Sequence, residues 1–220
     1  MPVFATARQK MVDGQVRTSD VTDRRIIDAM LAVPREQFVP ERQRPLAYLD
    51  RDLDVGAGDV HRYLVKPRLT AKLLQAAEIM PNDNLLVVGC ATGYLAALAA
   101  ALAAKVTGTE NDPALVAQGT GILVQLGIDG VTLKVAEPAE GDPAGAPFDV
   151  IVLNGATEIN PESLYAQLRN GGRLVGVFAA THPARATMVT RSHDDLGSRV
   201  LFDAGAPVLP GLERLPAFVF

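Results

Sequence analysis

The sequence predicts an α/β fold: a parallel sheet covered on both faces by helices, with an antiparallel edge and an N-terminal helical extension. Three observations carry this. Strand-like and helix-like segments alternate at short spacing from residue 67 to 178. The segment 148–154 (FDVIVLN) holds the apolar run of a strand buried on both faces. Past residue 178 the strand-like segments continue with no helical period between them.

The elements follow in order. Residues 1–50 read as helical. Thr22 and Asp23 make an N-cap pair for a helix with Ile26, Ile27, Met30 and Leu31 on one face, and Pro34 stops it. Residues 46–67, broken by Gly56, Gly58 and Pro67, read as a long loop or a short strand plus loop, the kind of segment that carries function. Helices are then expected over 69–79, 94–104, 113–126 (with Pro113 in its first turn) and 161–168. Strands are expected over 84–89, 105–110, 131–135, 148–154 and 173–178, with an antiparallel edge pair at 186–192 and 200–204. The apolar tail 216–220 reads as a further edge strand.

Composition narrows the function. The 220 residues, 48% apolar and 21% charged, suit one globular domain with a full core. A net charge of -4 and no basic run give no pull toward nucleic acid or anionic lipid. Cys90 is the only cysteine, so there is no intrachain disulfide, and a reduced, cytoplasmic setting is expected. His61, His182 and His193 are scattered, so no metal site is expected. Residues 85–104 carry no charge, but Gly89, Thr92 and Gly93 interrupt them, and they read as strand, turn and helix rather than a membrane span.

The most informative segment is Val87-Val88-Gly89-Cys90-Ala91-Thr92-Gly93-Tyr94. A buried strand runs into a glycine turn and a helix begins at once, which offers free backbone N–H groups and a close approach to a ligand. Glu110 ends the next strand, about 20 positions on, where an acidic residue can bind ribose hydroxyls. A dinucleotide site wants a third glycine where Tyr94 stands. The turn therefore suits a nucleoside ligand without a pyrophosphate, such as S-adenosylmethionine.

At these residues the chain resembles the protein-L-isoaspartate O-methyltransferases. The carriers are residues 11–17 (MVDGQVR), 26–40 (IIDAMLAVPREQFVP), 47–53 (AYLDRDL), the glycine turn through Tyr94, Phe148-Asp149, and 170–175 (NGGRLV). The resemblance implies the class I S-adenosylmethionine-dependent methyltransferase fold, a Rossmann-like three-layer α/β sandwich with an antiparallel edge. Residues 1–67 would supply N-terminal helices and a substrate-side loop, and residues 68–220 the core. It implies methyl transfer from S-adenosylmethionine to isoaspartyl carboxylates of damaged proteins, with Gly89, Gly93, Glu110 and Glu137 binding the cofactor. The resemblance assigns no catalytic nucleophile or base, because the methyl acceptor belongs to the substrate and a carboxylate is already ionised at neutral pH; which residues are catalytic is left open.

Several positions depart from the family pattern. Val87 stands where an acid helps hold the cofactor, and Ala91 replaces the middle glycine. Ala136-Glu137-Pro138 stands for Gly-Asp-Gly, and Asn154-Gly155 for Thr-Ala. Val65 takes the place of the serine that positions the substrate carboxylate, with Lys66 beside it. These departures keep two alternatives open: a non-catalytic relative acting as a binding or regulatory module, or a methyltransferase with a different acceptor. His61 reads as a surface residue, Cys90 as a small buried hydrophobe, and Asp50, Arg51 and Asp52 as an ion-pair cluster. Tyr94 either packs over the cofactor side of the turn or fills the core.

Overall fold

Asp23 opens the first well-capped helix. Its carboxylate accepts from Arg25 N at 2.9 Å, and α2 (Arg24–Ala32) buries Ile26, Ile27 and Met30. Val33 is extended, as the residue before a proline should be, and the helix ends there. In this computed structural model, which describes residues 2–56 and 61–215, the first fifty residues are helical in pieces. The pieces are α1 (Pro2–Met11), a π-turn (Val12–Val16), α2, and 3-10 turns at Arg17–Ser19, Arg35–Phe38 and Glu41–Leu46. The expected tail strand, 216–220, lies outside the described residues.

The loop that follows contains an antiparallel two-residue pair, β1 (Leu53–Asp54) with β2 (Tyr63–Leu64). Pro67 then starts α3 (Pro67–Ala76), where a missing N–H leaves nothing unsatisfied.

The main sheet has seven strands in the order β5-β4-β3-β6-β7-β8-β9. β3 (Asn84–Val88), β4 (Lys105–Glu110), β5 (Val131–Val135), β6 (Phe148–Thr157) and β7 (Leu168–Phe178) run parallel. β8 (Arg185–Ser192) and β9 (Asp195–Asp203) are antiparallel, which makes the expected edge. Side-chain alternation along β3 sends Leu85 and Val87 into one core cluster and Leu86 and Val88 into the other. α4 (Tyr94–Ala99) and α5 (Pro113–Leu126) link the strands on one side of β3, and α6 (Glu162–Ala166) links β6 to β7. The chain leaves β3 toward β4 and β5, then returns to β6 on its other side. The switch point therefore lies between the carboxyl ends of β3 and β6, where ligands bind in such sheets.

Element limits differ from the sequence reading in ways that have physical causes. α4 is shorter than 94–104, because the chain turns after Ala100 so that Ala104 N can donate to Asp83 O at the mouth of β4. The helix expected at 161–168 is reduced to α6, since Gln167 O accepts from Phe148 N and pulls the chain into β7 early. β9 begins before residue 200. Its first residues are exposed, so they show no apolar alternation. Among the described residues no helix is long and apolar enough to cross a membrane.

Candidate cofactor and substrate site

The glycine turn sits at the switch point. Gly89 and Gly93 have φ of +68° and +90°, the left-handed region that glycine enters without strain, and Gly93 is the N-cap of α4. Ala91 has φ +50°, a conformation that strains an L side chain by roughly 1–2 kcal/mol. Its backbone explains why it stays there: Ala91 N donates to Glu110 Oε2 at 2.7 Å. Thr92 Oγ1 donates to Phe38 O at 2.6 Å, which ties the turn to the N-terminal extension. Asn154 Nδ2 donates to Gly89 O at 2.9 Å and fixes the turn to the end of β6.

Gly89, Gly93 and Glu110 are thus brought together. Glu110 is wholly buried and is held by Arg62, which the sequence reading did not single out. Arg62 Nε and Nη2 donate to Oε1 and Oε2, each at 2.7 Å, and the Arg62 side chain is only 3% exposed. Asn111 N also donates to Oε1 at 3.0 Å, and Asp112 N at 3.4 Å. Every acceptor direction of the carboxylate faces a donor of the chain itself. Glu137 lies apart from this cluster. It is exposed, and its nearest partner is Asn111 Nδ2 at 3.4 Å.

Leu209 covers the turn from above. A methyl group placed on Gly89 would run into Leu209 Cδ2 and lie 2.9 Å from Arg62 Nη2; one on Gly155 would lie 2.8 Å from the Leu209 side chain. Pro207 O accepts from Ala156 N at 2.8 Å, and Leu209 N donates to Ala156 O at 2.9 Å, so the segment is hydrogen-bonded to the tail of β6. Residues 89–94, Glu110, Asn154 and Gly155 are all buried by the chain itself. As folded, the space beside Gly89 is taken by Leu209 and Arg62, and that beside Gly155 by Leu209. A sequence signal for Leu209 is lacking, because its segment (APVLPGLE) reads only as a Pro- and Gly-rich loop.

The remaining residues have plain roles. Cys90 is buried, and burial together with the Glu110 anion pushes its thiol pKa well up, against a smaller lowering by Arg62. Tyr94 fills the core: its ring meets Phe38 edge-on at 5.4 Å and lies under Arg35 at 4.9 Å. Val87 is fully buried in the larger apolar core cluster. His61 is exposed, with Nδ1 2.6 Å from Asp54 Oδ2. Asp50 and Asp52 pair with Arg68 and Lys66 rather than with Arg51; Arg68 Nη2 is 2.7 Å from Asp50 Oδ2.

In the loop before α3, Val65 is 2% exposed and its carbonyl accepts from buried Arg35 Nη2 at 2.9 Å. Burial lowers the pKa of Arg35, with Tyr94 and Asp52 opposing. Lys66 and Arg68 line a cavity of about 400 Å³ with Lys72, Phe202, Asp203 and Gly205. Lys66 Nζ donates to Gly205 O at 2.9 Å, at the base of the segment that carries Leu209.

A seven-stranded α/β sheet with a glycine turn at its switch point and an acidic residue ending the next strand defines a class I methyltransferase fold. The model of the protein-L-isoaspartate(D-aspartate) O-methyltransferase family matches residues 6–199, and the chain belongs to that family. It is 37% identical over 218 residues to protein-L-isoaspartate O-methyltransferase of Roseiflexus sp. (strain RS-1), covering 97% of this chain and 98% of the relative. It is 40% identical over 172 residues to the enzyme so named in Koribacter versatilis (strain Ellin345), covering 78% and 76%. In fold it is similar to a crystal structure of a Plasmodium falciparum protein described as a protein-L-isoaspartate O-methyltransferase in complex with S-adenosyl-L-homocysteine. The TM-score is 0.75 at 18% identity, over 94% of this chain and 97% of that one.

Proposed function

We infer that the protein is an S-adenosylmethionine-dependent methyltransferase that esterifies isoaspartyl carboxylates in damaged proteins. The family match over residues 6–199, with a relative aligned across nearly the whole chain, carries the reading. The bound cofactor supplies an activated methyl group. The acceptor carboxylate is ionised at neutral pH, so the protein's task is to hold the two partners in line rather than to remove a proton.

Gly89 and Gly93 shape the turn, Glu110 is the ribose ligand, and Glu137 serves the adenine side. The first three are supported by their convergence at the switch point. The closed arrangement described above does not itself receive the cofactor, because Arg62 holds Glu110 and Leu209 fills the cradle. Residues 1–67 form the substrate side, with Lys66 at its end lining a cavity of mixed charge beside Asp203. A cytoplasmic site of action belongs to the same reading, in keeping with one unpaired cysteine.

The test is methyl transfer from labelled S-adenosylmethionine to a peptide carrying one isoaspartyl residue, against the same peptide with ordinary aspartate. Base-labile label on the isoaspartyl peptide alone supports the reading. No label on either overturns it.

A further inference from the structure

We propose that Arg62 and Leu209 form a built-in plug, so that the chain rests in a closed state and S-adenosylmethionine enters only after both side chains leave the cradle. The inference rests on the cofactor reading given above.

Two independent contacts point to it. First, Arg62 satisfies the Glu110 carboxylate with two buried 2.7 Å bonds, and Ala91 N and Asn111 N take the remaining lone pairs. A ribose hydroxyl reaches Glu110 only by displacing a guanidinium that is 3% exposed. Second, Leu209 occupies the space that the absence of a side chain at Gly89 and Gly155 creates. A cradle lined with glycine and filled by a leucine from another segment is a void closed by the chain itself.

The two plug residues lie outside the strands of the main sheet. Arg62 immediately precedes β2, a strand of two residues paired with β1, and its carbonyl accepts from Val55 N at 2.7 Å. Leu209 sits between Pro207 and Pro210, and its segment is attached along β6 and just past its end by an isolated bridge between Ala156 and Val208, by the bonds around Ala156, and by Glu158 N donating to Leu212 O at 2.8 Å. Lys66 Nζ, through Gly205 O, couples the substrate-side loop to that segment, so release of one loosens the other. The open state is then a minor population. Apparent cofactor affinity falls in proportion to that population, and removing the plug raises it.

The experiment is calorimetric titration of S-adenosylhomocysteine into the full chain and into Leu209→Ala, Arg62→Met and Leu164→Ala. Leu164→Ala truncates a buried side chain outside the cradle and controls for general loosening. The expected result is binding at least tenfold tighter in Leu209→Ala than in the parent, with Leu164→Ala unchanged. Arg62→Met also gains where it folds, and Leu209→Ala decides the matter where it does not. Equal affinity in the parent and Leu209→Ala overturns the plug and leaves the cofactor reading standing. An equal gain in Leu164→Ala also overturns the plug. No binding by any of the four at about millimolar ligand, where an interaction of about −4 kcal/mol is visible, overturns the cofactor reading and the plug with it.

Discussion

Arg62 and Glu110, 48 positions apart in the chain, form a bidentate ion pair with both side chains buried, and the pair closes over the glycine turn. Breaking such a pair from one side leaves an uncompensated charge in the interior. The two ends are not equivalent. Glu110 also accepts from Ala91 N and Asn111 N, whereas Arg62 has the carboxylate as its side-chain partner.

Glu110→Ala therefore destabilises the protein by about 3–5 kcal/mol in urea unfolding, since the guanidinium and the backbone N–H groups of Ala91, Asn111 and Asp112 lose their partner together. Arg62→Met is milder, about 1–3 kcal/mol, because the backbone donors still hold the carboxylate. The reverse order would mean that the backbone donors contribute little to holding Glu110.

Cys90 gives a direct reading of how closed the turn is. It is fully buried, and burial with the Glu110 anion keeps its thiol protonated. A thiol reagent at pH 8 is expected to label the native protein no faster than the protein unfolds, and to label it at once in strong denaturant. Rapid labelling of the native state would show that the cradle is open in solution.

The sheet was readable in the sequence because its signals are local. The apolar run at 148–154, Pro113 at a helix start and Asp23 as a cap each act within a few residues, and all three hold in the structure. Glu110 was readable as an acid ending a strand. Its partner was not, since a pair joined across 48 positions leaves no spacing pattern. Leu209 was illegible for the same reason, lying in a segment whose prolines and glycine announce only a loop. Gly119 was also missed: it looks like a weak point in α5, yet it lets the helix approach Thr92 O. Close packing against the turn, sought at the position of Tyr94, is provided by a glycine on another helix.

Alkaline pH should weaken the fold through buried tyrosines. Burial pushes Tyr94 and Tyr165 up to about 12, with Arg35 pulling Tyr94 partly back, and burial also raises Tyr48. A phenol whose folded pKa exceeds its unfolded value of 10.0 binds its proton more tightly in the native state. That stability is fully present below pH 10 and is lost as pH rises through about 12. The urea midpoint is expected to fall between these limits, and tyrosinate absorbance of the native protein to lag behind that of the unfolded chain. Coincident titration curves would contradict the burial of these hydroxyls.

Two glycines in α5 (Pro113–Leu126) separate packing from propensity. Both gain the same intrinsic helix preference on substitution by alanine, about 0.5–1 kcal/mol. At Gly121 a new Cβ meets nothing within 4 Å, so Gly121→Ala is expected to stabilise by that amount. At Gly119 it lies 2.8 Å from Thr92 O and 2.7 Å from Leu133 Cδ1. The first is backbone of the glycine turn and cannot step aside without moving the cradle. Overpacking of this kind costs about 1–3 kcal/mol and exceeds the propensity gain, so Gly119→Ala destabilises. It also displaces the turn that Ala91 N and Thr92 Oγ1 anchor to Glu110 and Phe38. Thermal melts of the two variants should therefore move in opposite directions. A shift of the same sign and size in both would show that α5 does not press on the turn.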